Sequence, residues 1–371
     1  MSKEKKVLET ILSETDIQIN GNHKWDPQIN DHKFYKQVIN EGSIGLGEAY
    51  MNGLWDCEAL NEFFYKVLTA KIETKIKKNI KVLSYIFASR FINKQTKERS
   101  KQVAYVHYDI GNDLYKNMLD KRLIYSCAYW ENAQNIDEAQ EAKLNLICRK
   151  LQLKPGMRLL DIGCGWGGLA KYAAENFGVS VVGVTLSKEQ VIIAKEVNEG
   201  LPVEIRLQDY RDVHEQFDRI VSVGMFEHVG HLNYHYFIRL AHENLTEDGI
   251  FLLHTIGSSE SVSTTDPWIN KYIFPNGMLP SIPQIAKAID GYFVMEDWHN
   301  FGLYYDKTCM AWLSNFKNNW PQLQQHYSNE FYRMWTYYLS VSAASFRARN
   351  NHLWQIVLTK KNRKGMYLSV R

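Results

Sequence analysis

From about residue 155 the chain alternates short apolar runs with helical ones, and this alternation restricts the fold more than any other feature. MRLLDIG (157–163), VSVVGVT (179–185), VEIRLQD (203–209), FDRIVSVG (217–224) and IFLLHTIG (250–257) read as buried strands. A helix from about Gly167 to Asn176 follows the first, and KEQVIIAKEVNEG supplies one after the second. Strands in strict alternation with helices predict a doubly wound α/β sheet, because each helix must return the chain to start a parallel neighbour. Two later runs, GYFVMEDWHNFG and LWQIVLTKK, lie about fifty residues apart with helices between them. They predict an antiparallel pair added at one edge, giving a seven-stranded mixed sheet.

The first strand runs into LLDIGCGWGGLA, whose glycines at 163, 165 and 168 spell G-x-G-x-x-G. A dinucleotide site requires in addition an acidic residue about 20 positions on, at the end of the second strand, to hold the ribose hydroxyls. Here that strand ends GVTLS, with no carboxylate until Glu189. Asp161 instead stands two residues before the first glycine. A carboxylate repels a pyrophosphate but suits the ammonium and sulfonium of S-adenosylmethionine. Thr185, Ser187 and Gln190 offer neutral partners for a ribose, and Asp209 in LQDY is placed to accept from an adenine amino group. The loop therefore reads as the seat of a methyl donor, with a dinucleotide and its hydride chemistry as the weaker alternative.

The 371 residues, 45% hydrophobic and 23% charged, suffice for one large domain and a smaller partner. Residues 1–70 read as a small N-terminal domain with helices around VLETILSE and FYKQVINEG. The glycines at 42, 45, 47 and 53 in EGSIGLGEAYMNGLWDCEAL predict turns or close backbone approach there instead of one helix. Residues 71–102 carry ten Lys/Arg against two Glu, a local +8, leaving −5 elsewhere in a chain of net +3. Within this stretch VLSYIFASRFI is apolar and aromatic. Such a segment is a solvated linker helix or a surface for anionic lipid headgroups; no nucleic-acid module accompanies it. Residues 103–371 read as the catalytic domain. Five scattered cysteines without a C-x-x-C pair argue against a disulfide framework or a structural zinc and for a reducing cytoplasm. The N-terminus has no apolar signal-peptide core, and nowhere is there an apolar run of about 18 residues. The expectation is a cytoplasmic protein that meets a membrane from the side, if at all.

Five stretches, HYDIGNDLY (107–115), YSCAYW (125–130), LLDIGCGWGGLA, GMFEHVG (224–230) and LLHTIGS (252–258), resemble the cyclopropane-fatty-acyl-phospholipid synthases. DPWINKYIFPNG (266–277) and MEDWHNFG (295–302) are similar to later parts of those enzymes, and the glycine-rich N-terminal stretch to the leading domain of their phospholipid-acting members. The resemblance runs from about residue 30 to 357. It implies a class I S-adenosylmethionine-dependent methyltransferase fold, and methyl transfer to a cis double bond of a phospholipid acyl chain. A carbocation then loses a proton from the added methyl, which closes a cyclopropane ring.

By the same resemblance Cys127, Glu227, His254 and Tyr305, with the backbone of Ile256, hold a bicarbonate that takes the proton. Glu227 as the base itself stays open, and no metal is implied. The cofactor contacts carried over are Tyr125, Ser126, Gly163, Gly165, Trp166, Thr185, Leu186, Gln190 and Asp209, to which the reading above adds Asp161. Aromatic faces stabilise a passing cation; Tyr125, Tyr129, Trp130, Trp268, Tyr272, Phe274 and Tyr305 are candidates, though core packing explains any one of them equally well. The family's members of this length are homodimers at the inner face of the cytoplasmic membrane. The rivals are an amine N-methyltransferase of the same fold and a non-catalytic lipid-binding module.

Overall fold

The computed structural model describes residues 3–70 and 111–371. The basic segment 71–102 lies outside the described residues. The chain forms two compact units, and the first is discontinuous: the N-terminal residues group with 265–275 and 305–351. This division differs from the sequential domains 1–70 and 103–371 that the sequence predicts. The grouping has a physical cause in helix Asn329–Arg347, which Ser328 caps by accepting the Phe331 N–H at 3.1 Å. Tyr337 of this helix lies 5.8 Å from Tyr50, 4.9 Å from Phe64 and 4.4 Å from Trp268, ring centroid to ring centroid. Residues far apart in sequence thus share one aromatic core.

A two-residue ladder, β1 (Gln28–Ile29) with β2 (Trp55–Asp56), braces the N-terminal helices of this unit. Ser43–Met51 is a helix, contrary to the expectation of turns throughout the glycine-rich stretch. Gly42 and Gly53 do occupy left-handed turns at its two ends. Gly47 lies inside it because a Cβ there would come within 2.3 Å of the Trp268 indole. Close approach was the correct half of that reading; the packing it permits offsets the roughly 1 kcal/mol that glycine costs a helix.

The second unit holds the sheet. Its strands are β3 (Arg158–Ile162), β4 (Ser180–Thr185), β5 (Val203–Leu207), β6 (Phe217–Val223), β7 (Leu245–Ser258), β8 (Phe293–Asn300) and β9 (Asn351–Lys360). They form the expected seven-stranded mixed sheet, in the order β5-β4-β3-β6-β7-β9-β8. β3 to β7 pair in parallel, and β8 pairs antiparallel with β9 at the edge. In β3 the side chains alternate between two cores. Leu160 and Ile162 join Phe237 and Phe251 on one face, while Leu159 joins Leu144 and Ile147 of helix Ile136–Lys150 on the other. Asp161 shares the Leu159 face and so looks toward that helix. Strand order reverses between β3 and β6, and a crevice opens beyond their C-terminal ends; in such sheets ligands bind there.

Candidate active site

The loop after β3 leaves the sheet through Gly163, whose φ is 85° and whose N–H donates to the Val184 carbonyl at 2.9 Å. A Cβ at this position would also meet Met225 at 2.8 Å. Gly168 starts helix Gly168–Phe177 against the chain that precedes Tyr125; its Cβ would lie 2.3 Å from the Arg122 carbonyl oxygen. The third glycine of the pattern therefore serves helix packing, and its presence calls for no phosphate.

This loop floors a cavity of about 180 Å³ that lies wholly within the second unit. Tyr125 and Ser126 line it from one side, and Asp161, Gly163, Gly165 and Trp166 from β3 and its loop. Thr185, Leu186 and Gln190 close it at the end of β4. The Thr185 hydroxyl donates to Gln190 Oε1 at 2.7 Å, leaving this end neutral, as the absence of a carboxylate had predicted. Trp166 is fixed by donating its indole N–H to Asn112 Oδ1 at 2.9 Å and by packing on Tyr115. Asp209 is not among the lining residues, although Gln208, Tyr210 and Arg211 are. Its carboxylate accepts from the Arg211 backbone N–H at 3.0 Å and from the guanidinium at 2.8 and 2.6 Å.

Besides Arg211, which is paired with Asp209, and His228, two buried groups of opposite sign face this cavity. Asp161 is buried and its Oδ2 has no hydrogen-bond partner; burial pushes its carboxyl up to about 7, with Lys143 pulling the other way. Lys143 is 1% exposed and donates to Ser126 Oγ at 2.9 Å. Burial lowers its ammonium to about 8 against the pull of Asp120, Cys127 and Asp161. Lys143 was missed in the sequence. A signal existed: it falls at i+4 from buried Ala139 and i−4 from buried Ile147, on the apolar face of its helix.

A second polar group lies beyond the ends of β6 and β7. Glu227 sits in the short turn Phe226–His228 after β6, and its Oε1 accepts the Ile256 N–H at 2.6 Å. Its Oε2 is buried without a partner, and burial raises the carboxyl to about 7. His254 lies in β7 opposite Val223. Its Nδ1 meets the Gln355 amide nitrogen at 3.2 Å, so that the ring proton resides on Nε2, a buried atom with no hydrogen-bond partner. Burial, then Lys143 and Lys150, hold this imidazole neutral, well below its ordinary pKa. Cys127 is fully buried; its thiol donates to the Ala128 carbonyl at 3.3 Å and feels the charge of Lys143.

A buried N–H donor and a buried carboxyl oxygen, each without a partner, fit a small oxyanion that carries a hydroxyl. The Ile256 N–H, expected to share in holding it, is already donated to Glu227. Tyr305 belongs to the first unit, on helix Leu303–Leu323, and stacks on Phe346 at 4.4 Å. Trp268, Tyr272 and Phe274 lie in that unit as well.

A parallel sheet with an antiparallel edge pair, a glycine turn after its first strand and a neutral second-strand end define the class I S-adenosylmethionine-dependent methyltransferase fold. The family model for mycolic acid cyclopropane synthetase matches residues 94–356, and the chain belongs to that family. It is 54% identical, over 97% of its own length and 94% of the relative's, to cyclopropane-fatty-acyl-phospholipid synthase of Escherichia coli. Among solved structures it is similar to cyclopropane synthase MmaA2 from Mycobacterium tuberculosis, with a TM-score of 0.67 and 32% identity over 70% of this chain and 98% of that one. It is similar also to mycolic acid cyclopropane synthase CmaA1 complexed with SAH and CTAB, with a TM-score of 0.66 and 34% identity over 70% and 98% of the two chains.

Proposed function

We propose that this protein is a cyclopropane-fatty-acyl-phospholipid synthase, which adds a methylene from S-adenosylmethionine across a cis double bond of a phospholipid acyl chain. The observation that carries the reading is the unsatisfied pair beyond β6 and β7, Glu227 Oε2 and His254 Nε2, in the unit that holds the cofactor cavity. An N-methyltransferase needs to release one proton from an amine; ring closure requires an acceptor for a proton on carbon, within a site that excludes water.

Bound in the cavity, S-adenosylmethionine supplies an electrophilic methyl group. A bicarbonate between His254, Glu227 and Cys127 supplies a proton acceptor that does not compete as a nucleophile. His254 would donate its Nε2–H to the anion, Glu227 Oε2 would hydrogen-bond to the anion's hydroxyl, and Cys127 would offer its thiol, which leaves an anion oxygen to take the substrate's proton. Gln355 fixes the tautomer of His254, and Ile256 fixes the rotamer of Glu227. Asp161 faces the ammonium of the cofactor, while Thr185 and Gln190 present neutral groups to its ribose.

The basic stretch 71–102 docks the enzyme on anionic headgroups, peripherally at the inner face of the cytoplasmic membrane, and the active species is a homodimer. The test is incubation with vesicles of cis-unsaturated phospholipid and S-adenosylmethionine, read by mass spectrometry with and without added bicarbonate. A gain of one CH2 per acyl double bond supports the reading, and its dependence on bicarbonate supports the base. N-methylated headgroup with unchanged acyl chains would overturn it.

A further inference from the structure

Lys143 is a buried ammonium that feels the charges of Asp120 and Asp161 but has, among the described residues, no carboxylate in direct contact. Its Nζ has three N–H donors and, among the described residues, one hydrogen-bond acceptor, Ser126 Oγ at 2.9 Å. Among the same residues no carboxylate oxygen lies within 4 Å of it. The nearby Asp120 is spent elsewhere: Oδ1 accepts the Ile124 N–H and Oδ2 the Arg122 N–H, each at 2.9 Å. Lys143 and Ser126 both line the cofactor cavity, and so does Asp161, with Oδ2 unpaired. Burying an ammonium costs several kcal/mol unless an anion or enough acceptors meet it. A cation placed to assist a sulfonium would be self-defeating, because like charges in a site of low polarity repel. The missing partner is therefore an anion carried in by the ligand.

We propose that Lys143, with the Ser126 hydroxyl, is the seat for the α-carboxylate of the cofactor's amino-acid end, opposite Asp161, which receives its α-ammonium. The inference rests on the assignment of this cavity to S-adenosylmethionine and adds a positioning residue to it. One unpaired cation and one unpaired anion, on different elements of one cavity, form a receptor for a zwitterion. Neither charge alone distinguishes an amino acid from a simple amine or acid; together they do. The fixed carboxylate in turn sets how far along the cavity the sulfonium lies, and so where its methyl is presented.

The experiment is calorimetric titration, without lipid, of the full-length protein with S-adenosylmethionine and with its decarboxylated form, which keeps the nucleoside, sulfonium and ammonium. In the wild type the decarboxylated compound is expected to bind at least about tenfold more weakly, the value of one charge-assisted contact. Lys143→Met and Lys143→Gln are expected to lose at least about tenfold for S-adenosylmethionine. Both should bind the decarboxylated form as the wild type does, so that the discrimination disappears. Equal losses for both ligands would assign Lys143 a purely structural role and overturn the proposal, as would variants that still discriminate. If neither variant folds, the wild-type pair decides: equal affinities overturn the proposal. A wild type that binds neither compound would refute the cofactor assignment itself, a result distinct from any of these.

Discussion

Glu227 is buried with one carboxyl oxygen unsatisfied, and the consequences of that burial are measurable. Its carboxyl is raised from about 4.5 to about 7 in the folded chain, chiefly by desolvation. Between those values the native state binds more protons than the unfolded one, so this residue's contribution to stability is greatest below pH 4.5 and is lost as pH rises toward 7. Asp161, raised to about 7, acts in the same direction, whereas neutral His254 acts in the opposite one below its ordinary pKa. Glu227→Gln removes the one contribution alone. Urea unfolding is expected to show the variant gaining on the wild type between pH 5 and pH 8, by about 1.4 kcal/mol for each unit of the shift. A constant difference across that range would mean that Glu227 stays ionised in the fold. The same variant is expected to lose roughly 10²–10⁴-fold in turnover with cofactor affinity unchanged, since Glu227 lies outside the cavity wall. Glu227, His254 and Cys127 could be picked out in the sequence because their motifs are long. Lys143 could not, because a lysine on an apolar helix face is ordinarily one that snorkels outward.

The elements around the cofactor cavity were legible because parallel strands covered on both faces are largely apolar runs, as β3 and β4 are, whereas edge strand β5 alternates charged and apolar residues. Helix Ser43–Met51 was not, because what licenses its glycines is the Trp268 ring, more than two hundred residues away in sequence. The first-turn glycine of helix Gly168–Phe177 is the corresponding case at the site. Gly168→Ala would drive a Cβ into the Arg122 carbonyl, and either the helix or the segment carrying Tyr125 and Ser126 must move. The expected cost is roughly 1–3 kcal/mol of stability by overpacking, together with weaker binding of S-adenosylhomocysteine. Ser281→Ala is the control. It removes the capping box of helix Ile282–Ile289, none of whose residues line the cavity, and should cost about 1 kcal/mol with cofactor affinity untouched. Equal ligand affinity in both variants would separate Gly168 from the site.

At the scale of the whole molecule, charge and apolar surface are unevenly shared. The division into two units cuts across the sequence order because the aromatic helix Asn329–Arg347 draws late residues onto the N-terminal core, a partnership that no local pattern announces. The charge asymmetry, in contrast, can be counted directly: +8 in residues 71–102 against −5 in all the others. On the proposed function the substrate is embedded in a bilayer, and among the described residues no helix is long and apolar enough to cross a membrane. Electrostatic docking then predicts a particular salt response. Each Lys close to an anionic surface contributes about 1 kcal/mol, and the attraction fades once the screening length drops below the distance to the headgroups. Reversing Lys77, Lys78 and Lys81 to Glu is therefore expected to weaken partition onto anionic vesicles by at least roughly a hundredfold at low salt. The effect should be small on zwitterionic vesicles and should vanish for both proteins near 1 M salt. Binding of S-adenosylmethionine, measured without lipid, should be unaltered, which separates lost docking from a damaged fold. Vesicle activity equal to that of the wild type in the triple variant would remove the basic segment from the docking surface.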